Sequence, residues 1–408
     1  MDINYTPEDE AFRTEVKAFL EAELPKDLSD KVKAGQKLDG EDFMRWQQIL
    51  GQKGWLVPRW PEKHGGCGWT PVQVNIFDEE AYVAGAPRVL PFGVNMVGPV
   101  IIEFGSEDQK ARHLPGIARG EVPWCQGFSE PGSGSDLASL KTAAVRDGDD
   151  YIVNGQKIWT SYAHFSDWMF CLVRTDPNAA KKQQGISFLL IDMKTPGITV
   201  RPIITFDGMH SVNEVFLENV RVPAENLVGE ENKGWDYAKF LLGHERTGIA
   251  GVGGCKAEFE KLLDIARTEK KNGKPLIEDP LFAVKIARLE IDLRALELTN
   301  MRMLSGSGTG LNGAFPSVLK VKGTEVQQRI AELQMDAVGV HALPWQQAAM
   351  DPAWNGDTVG PDYAIPRMPA YIDRRKATIY GGSTEIQKNI ISKTLLNKAD
   401  RHHEFQLF

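Results

Sequence analysis

The stretch whose reading decides the fold is Gln126-Gly127-Phe128-Ser129-Glu130-Pro131-Gly132-Ser133-Gly134-Ser135-Asp136. It is glycine-rich, dotted with hydroxyls, and carries carboxylates at Glu130 and Asp136. It is not a phosphate-cradling loop: it lacks a Lys-Ser/Thr ending and the GxGxxG spacing. It offers a row of backbone N–H groups and small hydroxyls. Gly132 and Gly134 leave room for a flat, polar-edged ring to come close. Taken alone, the same residues also suit an ordinary solvated turn. A second stretch follows at Asn154-Gly155-Gln156-Lys157-Ile158-Trp159-Thr160-Ser161. Asn154-Gly155 predicts a hairpin turn, and the strand after it ends in Trp-Thr-Ser. That ending suits one wall of a flat cofactor, with hydroxyls at its edge, as well as a tryptophan filling a core.

Together the two stretches resemble the flavin-binding middle domain of the acyl-CoA dehydrogenases. That pattern is Thr/Ser-Glu-Pro-x-x-Gly-Ser-Asp, then Asn-Gly-x-Lys-x-Trp-x-Thr/Ser. The resemblance continues to both ends of the chain. It implies an α+β multidomain fold: an N-terminal helical domain over 1–122, a middle antiparallel β-barrel domain that binds FAD over 123–229, and a C-terminal four-helix bundle over 230–408.

The 408 residues, 42% of them hydrophobic, are ample for a large core divided into domains. A net charge of −8 with no basic block argues against nucleic acid and anionic membranes as partners. No apolar run is long enough to span a bilayer, and the first residues lack the layout of a secretory leader. Cys67, Cys125, Cys171 and Cys255 are scattered without a CxxC spacing. A reduced, cytoplasmic and metal-free protein is expected.

Thr6-Pro7-Glu8-Asp9 reads as a helix start, with Phe12, Val16, Phe19 and Leu20 on one apolar face and Pro25 as its stop. A second helix is expected over 41–52. Residues 72–84, 92–104 and 108–119 read as further helices. From Trp124 the texture changes to short β-rich segments at 151–153, 167–174, 186–192, 198–204 and 214–221, separated by turn residues. Helical periodicity returns over 235–271, 279–305, 316–341 and 384–396. Gly306 to Gly310 reads as a flexible turn.

The resemblance also implies chemistry. Family members remove a proton α to a thioester while the β-hydride goes to flavin N5. In many of them the base lies in a Tyr-Glu-Gly-Thr stretch near the C-terminus. Here the matching residues are Tyr380-Gly381-Gly382-Ser383-Thr384-Glu385, so Gly381 stands where the carboxylate would be. Another branch carries the base just before an arginine on the first long C-terminal helix. Leu242-Gly243-His244-Glu245-Arg246 matches that arrangement, which makes Glu245 the expected base, with Glu385 a lesser alternative. The backbone N–H of Gly381 is expected to donate to the thioester carbonyl. Gln126, Phe128, Ser129, Gly134, Ser135, Trp159, Thr160, Ser161, Gly382, Ser383 and Glu385 are expected to hold FAD. Ser135, His244 and Arg246 are expected to hold acyl-CoA.

The chain departs from the resemblance at two places. A neighbouring subunit normally grips the flavin with Arg-x-x-Phe-Gly and Gln-x-x-Gly-Gly. Here those sites read Glu269-Lys270-Lys271-Asn272-Gly273-Lys274 and Gln334-Met335-Asp336-Ala337-Val338-Gly339. Both losses fall on the surface donated to a neighbour. A mixed α2β2 tetramer with a paralogous subunit is therefore expected, or a homotetramer in which Lys270 or Lys271 replaces the arginine. Electron-transfer flavoprotein is the expected acceptor. An acyl-CoA oxidase, or a partner subunit with little activity of its own, is the alternative.

Overall fold

The computed structural model describes residues 5–304 and 314–399, and among these the side chains outside 243–249 and 397–399. Thr6 opens α1 (Pro7–Glu23): its hydroxyl accepts from the Asp9 N–H, while the Asp9 carboxylate accepts from the Thr6 N–H. Phe12, Val16 and Leu20 form the buried face that their spacing predicts. A short helix that the sequence reading did not anticipate, α2 (Lys26–Ala34), starts directly after Pro25. Helices α3 (Gly40–Lys53) and α4 (Pro71–Ala84) start on capping boxes at Asp39 and Thr70 and end on left-handed Gly54 and Gly85. Phe92–Val97 winds as a π-helix into α5 (Gly98–Phe104), and α6 (Glu107–Ala118) follows.

Seven strands come next: β1 (Trp124–Gly127), β2 (Ala143–Asp147), β3 (Asp150–Ser161), β4 (Trp168–Arg174), β5 (Ile186–Asp192), β6 (Ile198–Ile204) and β7 (His210–Pro223). They make one sheet in the order β1-β4-β2-β3-β7-β6, with β5 paired to β4. Pairing is antiparallel except where β1 and the first residue of β2 run parallel to β4. Val153, Met169, Leu189 and Val215 are among the residues of its core.

Asn154-Gly155 is not the hairpin turn that its sequence suggests. It lies inside β3, where pairing with β2 ends and the register with β7 shifts between Val153 and Gly155. Asn154 is held by Asn219, whose backbone N–H donates to its Oδ1 at 2.8 Å. A side chain at residue 155 would meet Thr142 Oγ1 at 2.5 Å, so glycine is required by close approach. The actual β2–β3 turn is at Gly148-Asp149, between the paired Asp147 and Asp150.

The expected helix over 235–271 is two helices, α7 (Gly234–Ile249) and α8 (Val252–Thr268), broken at Gly251 with φ +59°. A two-stranded ribbon, β8 (Lys270–Lys271) and β9 (Lys274–Pro275), leads to α9 (Pro280–Leu304). Then come α10 (Phe315–Val338), the unanticipated α11 (Arg367–Arg375) and α12 (Thr384–Ala399). Gly323 of α10 lies against the break: a Cβ there would meet the Ala250 carbonyl at 2.5 Å. The predicted turn at 306–310 lies outside the described residues.

The chain forms two compact units. One comprises Met1–Leu38, Trp69–Pro87 and Arg246–Phe408; its core joins Phe259 and Leu262 of α8, Leu289 and Leu293 of α9, and Leu319 and Leu333 of α10. The other comprises Asp39–Gly68 and Arg88–Glu245 and contains the sheet. No helix among the described residues is long and apolar enough to cross a membrane.

Candidate functional site

Within the sheet unit the fold joins the two motif stretches. The Ile158 N–H donates to the Ser129 carbonyl at 2.9 Å. Beneath this bond lies a buried ion pair: Lys157 Nζ donates to Glu130 Oε1 at 2.8 Å, to the Leu172 carbonyl at 2.8 Å and to the Phe128 carbonyl at 3.3 Å. The ammonium thus has three acceptors, one for each of its protons. Glu130 also accepts from the backbone N–H groups of Lys141 and Thr142, at 2.6 and 2.9 Å. Burial pushes its carboxyl up, but Lys157 and these donors outweigh it and hold the group below the usual carboxylate range. Both residues stand inside the motifs, yet the sequence reading gave neither a role. Their separation of 27 positions hides the pairing.

The loop beyond Glu130 is a tight ladder. Glu130 and Ser133 exchange backbone hydrogen bonds at 3.0 and 2.9 Å, and Ser133 Oγ donates to the Asp136 carbonyl at 2.9 Å. Gly132, Gly134 and Ser135 are exposed. A Cβ at residue 132 or 134 would meet nothing within 4 Å, and neither glycine has the left-handed φ that favours glycine. Neither packing nor backbone conformation requires glycine at these two positions, which leaves the loop open on its outer side. Gln126 and Ser129 are half-buried beside this loop. Phe128 differs: its ring is edge-on to Phe170 and Phe188, at 5.6 and 6.2 Å, and is committed to the sheet core.

At the far end of β3 the register with β7 shifts again, between Lys157 and Thr160. A bulge of this kind re-aims side chains. Trp159 takes φ +60° and is 57% exposed, a costly conformation and an unusual exposure for a tryptophan inside a strand. Thr160 is fully buried, and its Oγ1 has no hydrogen-bond partner. Ser161 is half-buried. An outward indole, a buried unpartnered hydroxyl and a loop with two glycines the fold can spare fit the edge and face of a flavin ring.

The candidates at 381–385 lie in the other unit. Gly381 and Gly382 have φ of +62° and +85°, and a Cβ at residue 382 would meet Gln387 Nε2 at 2.3 Å. Ser383 is half-buried and its Oγ accepts from the Ile386 N–H at 3.4 Å at the start of α12. Glu385 is exposed; its own backbone N–H and Ser383 draw its carboxyl below the usual range. Thr384 Oγ1 and Gln387 Oε1 are buried without hydrogen-bond partners. His244, Glu245 and Arg246 fall on α7, but their side chains lie outside the described residues.

Three residues of the two departing segments, Glu269, Lys271 and Gln334, have partners within their own unit. Gln334 is buried; its Nε2 donates to the Glu258 carbonyl and Oε2 at 2.9 and 3.1 Å, and its Oε1 accepts from Arg367 Nη1 at 2.9 Å. Burial raises the Glu258 carboxyl, yet Lys261 and Arg367 outweigh it and draw it down to about 2. Lys271 is paired with Asp279 at 2.8 Å, and the Tyr363 hydroxyl donates to Glu269 at 2.9 Å.

Family models match most of the chain. The acyl-CoA dehydrogenase N-terminal, middle and C-terminal domain models match residues 6–121, 125–220 and 232–396. Acyl-CoA dehydrogenase IpdE1 of Mycobacterium tuberculosis is 35% identical over 395 residues, covering 95% of this chain and 97% of that protein. Acyl-CoA dehydrogenase FadE26 of the same organism is 36% identical, covering 84% and 87%. Among solved structures, the Tcur3481-Tcur3483 steroid ACAD superposes with a TM-score of 0.84 at 31% identity, covering 97% and 99%. The ChsE4-ChsE5 complex from Mycobacterium tuberculosis gives a TM-score of 0.81 at 31% identity, also covering 97% and 99%. The chain belongs to the acyl-CoA dehydrogenase family. It is an oxidoreductase, and FAD is its cofactor.

Proposed function

We propose that this chain dehydrogenates an acyl-CoA thioester across its α,β bond, with Glu245 as the base. The observation that carries the reading is the bulge of β3, at which Trp159 is turned outward next to Thr160, whose buried hydroxyl has no partner. Bound FAD would supply the acceptor for the β-hydride. Glu245 takes the α-proton onto its carboxylate, and the C–H pair left at the α carbon becomes the new double bond as the hydride departs. The Gly381 N–H donates to the thioester carbonyl while charge gathers there. Ser135, His244 and Arg246 hold the CoA portion. Gln126, Ser129, Gly134, Ser135, Trp159, Thr160 and Ser161 hold the ring, with Gly382, Ser383 and Glu385 along the rest of the cofactor. Electrons leave to an electron-transfer flavoprotein.

Glu245→Gln tests the assignment. Expected are a flavin content equal to wild type and a loss of at least ~100-fold in the rate of flavin bleaching by acyl-CoA, the low end for a general base. Bleaching at the wild-type rate would return the base to Glu385 or another group. The likeness to a steroid ACAD favours an acyl group that carries a ring system. A straight-chain substrate turned over more efficiently than any ring-bearing acyl-CoA would reject that class.

A mixed assembly is the second part of the reading. Gln334 has both amide atoms engaged inside its own unit, and Lys271 is paired with Asp279, which supports a partner that supplies the grip on the flavin. Leu281, Val284, Ile291 and Leu298 are exposed along α9, with the last three at heptad spacing, a pattern suited to a partner helix. The solved ChsE4-ChsE5 and Tcur3481-Tcur3483 structures each pair two differently named chains. The chain expressed alone is expected to hold less than one flavin per subunit. A homotetramer with full loading would sink the mixed assembly.

A further inference from the structure

Asn213 lies on β7 opposite Thr160 of β3 and is fully buried. Its Nδ2 donates to the Thr160 carbonyl at 3.0 Å. The same nitrogen is 3.2 Å from His164 Nδ1, and Asn213 Oδ1 is 2.7 Å from His210 Nε2. The Thr160 carbonyl can only accept, which fixes the amide with its nitrogen toward β3. The tautomers follow: His210 donates from Nε2 and His164 accepts at Nδ1. The two imidazoles stack with centroids 4.0 Å apart and planes 28° from parallel. They border an open pocket of about 320 Å³ whose other walls include Ala163, Met193, Val200 and Pro202.

The strained stretch this cluster touches is the one that carries the outward tryptophan. Trp159 has φ +60° and Tyr162 φ +59°. Such conformations cost roughly 1–3 kcal/mol each and persist only where neighbours hold them. On the N-terminal side the holders are the Ile158–Ser129 bond and the Lys157 ammonium. On the C-terminal side they are the Asn213 amide on Thr160 and the Ser211 carbonyl, which accepts from the Tyr162 N–H at 2.9 Å.

We propose that Asn213, steered by His164 and His210, is a positioning residue that sets the angle of Trp159 toward the flavin ring. This rests on the flavin-site reading above and adds to it three residues that reading does not include.

The test is FAD titrated into apoprotein prepared from the purified assembly, followed by flavin fluorescence and by the shape of the visible flavin band. The variants are Asn213→Asp, Trp159→Ala, the two combined, and Lys194→Ala. Lys194 borders the same pocket but pairs with Asp167 at 2.9 Å and takes no part in the amide cluster. Asn213→Asp keeps the shape and removes the donor. It is expected to loosen FAD about 10-fold, roughly the worth of one hydrogen bond to an ordered carbonyl. In the Trp159→Ala background it should loosen FAD no further, and Lys194→Ala should bind as wild type. A merely structural Asn213 would still loosen FAD in that background, and losses that multiply there would overturn the proposal. So would an unchanged affinity in Asn213→Asp alone. Should Asn213→Asp fail to fold, His210→Leu leaves the amide in place and removes its guide. About a 3-fold loosening that also vanishes in the Trp159→Ala background would uphold the proposal, and wild-type affinity would end it. A wild-type assembly that takes up no FAD would instead overturn the flavin-site reading, and this inference with it.

Discussion

Thr160 and Gln334 are both buried polar residues, and the chain treats them in opposite ways. Gln334 donates to Glu258 and accepts from Arg367, so each of its amide atoms has a partner within one unit. Thr160 keeps its hydroxyl buried with none. A buried polar atom without a partner costs about 1–3 kcal/mol, a cost a bound group can remove. Near Trp159 a polar atom is left open to a partner, whereas at Gln334 none is. The family resemblance alone does not separate these cases, because a glutamine that still matches a flavin-gripping motif has been turned inward.

The strongest way to strain this comparison is Lys157→Met. It strands the Glu130 carboxylate in the interior, and a loss of roughly 3–5 kcal/mol in unfolding free energy is expected by denaturant titration, with flavin binding lost alongside. A variant as stable as wild type would mean that the ion pair is not what holds the motif loop. Next in size is Gln334→Ala, expected to cost about 1–3 kcal/mol through its abandoned partners while the chain's own FAD affinity stays unchanged. Weaker FAD binding without loss of stability would show that Gln334 faces a cofactor after all. Thr160→Val inverts that pattern: apoprotein stability equal to or above wild type, and FAD bound roughly 3- to 10-fold more weakly.

The smallest effect is in pH. Glu258 is depressed in the folded chain, so its contribution is present above the ordinary glutamate value of about 4.3 and is lost as pH falls toward about 2. Glu258→Gln should flatten the fall of stability across that window. An unaltered slope would remove Glu258 from the account of why this region is closed.

Much of this contrast was hidden in the sequence. Helix starts were legible because capping boxes are local: Thr6 with Asp9 and Thr70 with Gln73 are three residues apart. The strands were legible from β-branched and aromatic runs. The Asn154-Gly155 turn was misread because a local hairpin signal lost to a 12-residue strand that pairs on both edges. The break at Gly251 had a signal in the glycines at 251, 253 and 254, but the apolar spacing on either side masked it. Helix α2 went unseen because it buries little beyond Leu28. The candidate site was legible as a pair of motifs, since the residues expected to hold the ring cluster along the chain. Their supports were not: Glu130 meets Lys157, and Thr160 meets Asn213, across separations that no short pattern encodes. Phe128 was given to the ring by its place in the motif, but its side chain belongs to the core.

Lys157 has a consequence for how the molecule comes together. One ammonium joins the carbonyls of Phe128 and Leu172 to the carboxylate of Glu130. Its acceptors come from two stretches, 128–130 and 172, so the ammonium is fully satisfied only when both have closed on residue 157. Local opening of β4 would therefore take an acceptor from the same ammonium that anchors the motif loop, which couples the loop to the sheet.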